Sequence, residues 1–206
     1  AVISVGLSEQ LSGTSGAARQ AAGRMESGDV RVIDSLSATA GEGLVAVVAA
    51  EAAILGWSAD EVEALVLDMI PRTRVVGVAD DLAWAVKGGR VPGVIKKITG
   101  FLHVNPVLTA NSEGKMGLAG FHTGLGANPA KLARTVLRKM RPETMYRVLI
   151  SHANNEAGAK ATRHHILEKH GPIHSCHITN AGPALGAHFG PGGIIVGFCP
   201  QPPALN

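Results

Sequence analysis

The first part of the chain alternates strand and helix signals, and that alternation limits the folds open to it more than any other feature. Ala1–Val5 reads as a strand, Thr14–Met25 as a helix, Val30–Ile33 as a strand and Gly41–Leu55 as a helix. A further helix is opened by Ser58-Ala59-Asp60-Glu61. In that tetrad Ser58 can bond forward and Glu61 back, which is a capping box. Strands separated by helices of this length imply βαβ units and a parallel sheet, with ligands favoured outside the carboxyl ends of the strands. Leu11-Ser12-Gly13-Thr14 and Asp34-Ser35 fall at two such ends. The chain opens directly on a buried-type strand, with no polar lead-in or initiator methionine, so we expect a fragment of a longer protein.

From Arg74 the pattern changes. A strand Arg74–Val78 and a short helix to Lys87 precede the Gly88-Gly89-Arg90 break, followed by a helix through Lys96. Val104–Ala110 and Lys115–Phe121, joined by Asn111-Ser112-Glu113-Gly114, read as a hairpin. A helix Pro129–Met140, a strand Tyr146–Ser151, a helix Glu156–His170 and strands about Ser175–Thr179 and Gly193–Phe198 complete the chain. We therefore expect an α/β protein with a partial parallel βαβ domain over 1–72 and an α+β domain over 73–206.

With 46% hydrophobic residues, the 206-residue chain can build a substantial core. Only 3% of residues are aromatic, so that core must be aliphatic and its helices closely packed. Such an interior suits an alkyl ligand. A net charge of +3 with dispersed basic residues does not support nucleic-acid binding. The two cysteines, Cys176 and Cys199, suggest a reducing cytoplasm and no disulfide framework. Leu44–Trp57 is too short for a membrane span of roughly 18 residues and reads as a buried helix.

Several residues carry candidate chemistry. Ser12 and Thr14 either cap the following helix or help its free amides hold an anion. Asp34 and Ser35 either form a second polar shelf or cap the next helix. Arg90, after two glycines, either ties down a loop or grips a carboxylate or phosphate. His188 lies in Gly186-Ala187-His188-Phe189-Gly190-Pro191-Gly192-Gly193, whose small residues leave its ring open to a ligand. The other reading of that segment is a glycine-rich turn with His188 packed. His164, His165, His170, His174 and His177 cluster with Cys176, but a strand there would send His174 and Cys176 to one face and His177 to the other, so no metal site is expected. The apolar segment that includes Ile98, Phe101, Leu102 and Leu108 either lines a cavity or is ordinary core.

Taken in order, Leu11-Ser12-Gly13-Thr14, Val32-Ile33-Asp34-Ser35, Asp81-Leu82 through Lys87-Gly88-Gly89-Arg90-Val91, Asn105-Pro106-Val107-Leu108 and Gly186 to Gly192 resemble the DegV family of bacterial fatty-acid-binding proteins. The resemblance spans essentially the whole chain. It implies a two-domain protein that encloses one long-chain fatty acid and presents the carboxylate to an ATP-dependent fatty acid kinase, a separate protein or a fused domain. The kinase forms an acyl phosphate for phospholipid synthesis, so the carrier is not an enzyme and has no cofactor, metal or stable membrane insertion. By the same resemblance Ser12 and His188 match carboxylate ligands, Gly13 and Thr14 the loop presenting the serine, and Arg90 and Gly190 the supporting loops. Ile98, Phe101, Leu102 and Leu108 would line the acyl chain. Three departures stand out. The family's opening threonine-serine motif has no counterpart, His122-Thr123 replaces an arginine-threonine pair near the partner surface, and Phe189 replaces a threonine. The alternative is an enzyme acting on a small phosphorylated or carboxylated metabolite, using the Ser12–Thr14 loop and Arg90 as an anion cradle and His188 as acid or base.

Overall fold

The computed structural model describes residues 1–80, 82–90, 104–124 and 126–205. Strands β1 (Val2–Gly6) and β2 (Val30–Asp34) form a two-stranded parallel sheet, with Val2 opposite Val30 and Gly6 opposite Asp34. Helix α1 (Thr14–Ala22) makes the crossover between them, as the sequence alternation requires. Helices α2 (Ala40–Ile54) and α3 (Ala59–Met69) follow. Ser58 and Glu61 form the expected capping box at the start of α3.

The second sheet contains β3 (Arg74–Val78), β4 (Val104–Ala110), β5 (Met116–Thr123), β6 (Tyr146–His152), β7 (Ile173–Asn180) and β8 (Ile194–Pro200). Its order is β5-β4-β3-β8-β6-β7, and only β6 and β7 run parallel. The β4–β5 hairpin forms where expected. Its turn is shaped by Asn111, whose side-chain oxygen accepts from the amides of Glu113 at 3.0 Å and Lys115 at 2.9 Å.

Helices α5 (Pro129–Leu137) and α6 (Glu156–Lys169) cover one face of this sheet. Leu132, Val136 and Ile166 from the helices meet Val76, Val148, Ile150 and Val196 from the strands. On the other face, Val75, Leu108 and Ile195 pack with Ala40 of α2 and Phe189 of α7 (Pro183–Phe189). The short helix α4 (Leu82–Gly88) packs beside α7.

Helix α2 is buried on two sides. Val45, Ala49 and Ala52 join Ile33 and the α3 residues Val62 and Val66, while Leu44 and Val48 join Met69 at the end of α3 and Cys199 of β8. A helix apolar all round is the expected solution for such a position. Small residues permit its close approach: a Cβ on Gly197 of β8 would fall 2.5 Å from the carbonyl carbon and oxygen of Ala40.

One of the two readings of the tail is excluded, and one expectation is corrected. The tail is not a glycine-rich turn from Gly186 onward, because α7 continues through His188 and Phe189. Pro183 starts this helix and Gly190, at φ +79°, ends it. The second concerns the alternation around His174. Tyr146 pairs with Ile173 but Arg147 pairs with Ser175, leaving His174 in an irregularity of the ladder. His174 and His177 both act on Glu51 of α2, whereas Cys176 is buried in the core under α6. The extra residue breaks the two-residue period, so His174 does not share a face with Cys176.

Arg147 of β6 is buried, with only 1% of its surface exposed. Its Nη2 lies 2.6 Å from Glu51 Oε2, and its Nε donates to Gln201 Oε1. The hydrogen bond from Arg147 holds the Glu51 carboxyl below its ordinary range, against the opposing effect of burial. Removing the carboxylate strands a buried guanidinium. Glu51→Ala should cost about 2–3 kcal/mol in chemical denaturation, less than a fully buried pair because Glu51 keeps contact with water. A carboxyl with a depressed folded pKa contributes stability that is complete above its unfolded value and is lost as pH falls through the folded one. The wild type should therefore lose stability faster than the variant below about pH 4.

Candidate functional site

Of three sequence motifs, two meet on the other, the turn at Gly88–Arg90. The first is the loop from β1 to α1. Ser8, fully buried, donates from its hydroxyl to the Gly114 carbonyl at 2.9 Å, and its amide bonds to Ser37 O at 2.8 Å. The loop is thereby fastened to the hairpin turn and to the loop after β2. Ser8 O then accepts the amides of Leu11 and Ser12, which positions the half-buried Ser12. Ser12 Oγ and Thr14 Oγ1 share a hydrogen bond of 2.8 Å, and Ser12 Oγ accepts the Thr14 amide at 3.2 Å. Gly13 occupies the N-cap of α1, with no side-chain cap bond. The two hydroxyls are tied to each other, with Ser12 also holding the first amide of the helix.

The second motif is the Gly88-Gly89-Arg90 turn. Arg90 is exposed and spends its guanidinium on backbone: Nη1 donates to Gly88 O at 2.9 Å, and Nε reaches Leu11 O at a long 3.4 Å. The turn is thus linked to the residue preceding Ser12. The third motif is His188, in the last turn of α7. A Cβ on Gly88 would lie 2.4 Å from His188 Nδ1 and 3.2 Å from its Cα, so the imidazole and its backbone rest directly on that glycine. His188 Nδ1 is buried and has no hydrogen-bond partner among the described residues. Gly190 makes the next close approach, where a Cβ would fall 2.5 Å from Trp84 Cδ1.

The Gly88–Arg90 turn therefore contacts both the residue preceding Ser12 and His188, although 176 positions separate Ser12 from His188 in the chain, as 188 less 12 gives. The arrangement offers a hydroxyl, helix amides and an imidazole, donors that suit an oxygen anion.

Other predicted residues lie elsewhere. Asp34 does not cap α2; its carboxylate accepts the Leu36 amide at 2.8 Å and the Glu9 amide at 3.2 Å, tying two loops together. Ser35 is buried and bonds within its own turn to Ser37. Both lie on a cleft of about 860 Å³ that also includes Arg74 and Ser112, and neither Ser12 nor His188 lines it. Leu108 is buried against Val75, Phe189 and Ile195. Ile98, Phe101 and Leu102 lie outside the described residues. His122 is buried, its Nε2 2.9 Å from Thr135 Oγ1, and its pKa is lowered by burial first and then by Lys131 and Arg138. Among the described residues no group of histidine, cysteine and carboxylate side chains is arranged to hold a metal. No described helix is long and apolar enough to cross a membrane.

Sequence reasoning missed Ser8 as the anchor of the Ser12 loop, since an isolated serine carries no signal of distant partners. It also missed Gly88 as the seat of His188, although the paired glycines marked a close approach of unknown origin.

The structure resembles that of a fatty-acid-binding DegV family protein from Thermus thermophilus, with a TM-score of 0.86 and 26% identity, covering 97% of this chain and 71% of that one. A Thermotoga maritima protein whose structure revealed a fatty acid binding function matches at a TM-score of 0.83 and 25% identity, over 97% of this chain and 69% of the other. A DegV domain-containing protein of Streptococcus pyogenes serotype M3 is 28% identical over 167 residues, which is 81% of this chain and 57% of the relative. The chain thus spans less than two thirds of that relative's length. The family model described as "Uncharacterised protein, DegV family" matches residues 1–201. A match of that extent, together with the shared fold, makes this chain a member of the DegV family.

Proposed function

We propose that the protein binds one long-chain fatty acid, buries its acyl chain and presents the carboxylate to a fatty acid kinase, as a separate partner or a fused domain. The observation that carries this reading is the convergence of the Ser12 loop and His188 on the Gly88–Arg90 turn. The Ser12 hydroxyl, supported by Gly13 and Thr14, and the His188 imidazole hold the carboxylate. Arg90 and Gly190 keep the two loops in place. Leu108 belongs to the acyl-chain lining, together with Ile98, Phe101 and Leu102. The fatty-acid binding of the Thermus protein supports the ligand class.

The energetics favour such a division of labour. Each buried methylene contributes about 0.8 kcal/mol, so the tail supplies affinity and the head group mainly needs orientation. A carboxylate withdrawn from water requires hydrogen-bond partners, and the hydroxyl, amides and imidazole provide them. Phosphoryl transfer to give an acyl phosphate for phospholipid synthesis is then the partner's chemistry, and the ATP it uses locates the carrier in the cytoplasm. Within this chain, residues 1–72 belong to the α/β domain with the parallel sheet, and residues 73–206 to the lipid-binding α+β domain.

Native mass spectrometry of the purified protein, followed by lipid extraction, should find a long-chain fatty acid in the complex. Protein that is recovered empty and takes up no added palmitate or oleate would refute the assignment.

A further inference from the structure

Strand β7 closes one edge of the six-stranded sheet, and its eight residues, Ile173–Asn180, pair only with β6. Among the described residues nothing bonds to its outer backbone edge. Natural sheets commonly protect such an edge with proline or an edge lysine. The sequence Ile-His-Ser-Cys-His-Ile-Thr-Asn contains neither. The irregularity at His174 interrupts only the start of the strand, leaving Ser175–Asn180 in continuous register with β6.

A groove of about 740 Å³ runs along this edge, walled by α6. Lys160 and Arg163 line it from α6, His152 from β6, and His174 and His177 from β7 itself. The one carboxylate in its lining, Glu156, is engaged by Lys160 at 2.7 Å. Arg163 has no carboxylate partner among the described residues; it lies by the buried Cys176, whose thiol burial pushes up to about 11 and so leaves uncharged. The same two histidines also act on Glu51 of α2, whose charge is committed to Arg147.

We propose that the β7 edge is a docking site for an extended acidic segment of another protein, which adds a strand beside β7 and turns alternate carboxylates toward Arg163, with Lys160 shared between that segment and Glu156. Main-chain hydrogen bonds to the open edge supply affinity, and the charge on the α6 side supplies selection among strands. A second copy of this chain is a poorer occupant. Antiparallel pairing of two β7 strands about a two-fold axis keeps both α6 helices on the same face of the joined sheet, so Lys160 and Arg163 of each copy confront those of the other. The site is separate from the Ser12–His188 region and does not depend on the ligand proposed there.

The test uses a fluorescein-labelled acetyl octapeptide of alternating valine and glutamate, titrated with the protein in fluorescence anisotropy at low salt. Saturable binding is expected, about tenfold weaker for Lys160→Glu with Arg163→Glu and for a peptide N-methylated at alternate amides. Both α6 positions are exposed or on the groove wall, so thermal melting of the variant should match the wild type. In the complex, amide hydrogen exchange should slow at alternate β7 residues within Ser175–Asn180. Absence of binding overturns the proposal, as does equal binding of a valine–lysine peptide. Binding indifferent to N-methylation would show charge attraction without strand addition and would also overturn it. A concentration-dependent dimer that protects the same amides would assign the edge to a second copy instead.

Discussion

His188→Ala is expected to weaken retention of a long-chain fatty acid by about 10–100-fold, with little change in thermal stability. A hydrogen bond to a charged group contributes about 1.5–3 kcal/mol, which corresponds to that range. In the proposed site the loss falls on the head group, because the His188 imidazole is the donor brought to it from the far end of the chain. The stability expectation follows from position. His188 lies in the last turn of a short helix, is half-buried and makes no hydrogen bond through Nδ1 among the described residues. Displacement of a fluorescent fatty acid measures the first quantity, and a thermal melt the second. Ser12→Ala should act in the same direction but more weakly, since the Thr14 hydroxyl and helix amides remain beside it. If His188→Ala retains fatty acid as well as the wild type does, the imidazole is only packing against Gly88 and the carboxylate is held elsewhere.

The largest loss of stability is expected from a single added methyl group, in Gly197→Ala. Its Cβ would lie 2.5 Å from both the carbonyl carbon and oxygen of Ala40, and 2.8 Å from the amide nitrogen of Gly41. All three are backbone atoms, so no side-chain rotation relieves the clash. β8 is held between β3 and β6, and therefore cannot retreat without breaking two ladders. α2 cannot retreat either without opening the contacts of Leu44 and Val48 with Met69 and Cys199. Overpacking at well-filled sites costs about 1–3 kcal/mol and more where backbone must move, so at least about 3 kcal/mol is expected. For a chain of this size that lowers the melting temperature by about 6–12 °C. A change below about 1 kcal/mol would mean that α2 does not rest on β8 in solution.

Much of this arrangement was readable before any tertiary contact. The capping box at Ser58 and Glu61, the Asn111–Gly114 hairpin turn and the doubly buried α2 each depend on residues close in sequence, and each formed where their chemistry required. Helix α7 was legible in principle, since Pro183 and Gly190 bracket it, but the glycines after His188 drew the reading toward a turn. His174 was misplaced because a ladder irregularity is decided by the partner strand. Of the two readings open for Asp34, the helix cap fails: its carboxylate joins two loops, one of them 25 residues away.

The sequence by itself determined the local elements, the parallel character of the first two strands and the motif order that marks a DegV family member. These follow from hydrophobic period, turn chemistry and capping, which act within a few residues. Only the tertiary structure decided that His188 rests on Gly88, that Arg90 reaches toward the Ser12 loop, and that Arg147 pairs with Glu51. Those contacts join residues far apart along the chain. The pairing of Arg147 with Glu51 exists because helix α2 packs closely on the six-stranded sheet through glycine and alanine, and His188 meets Gly88 because α7 packs beside α4 where no side chain intervenes.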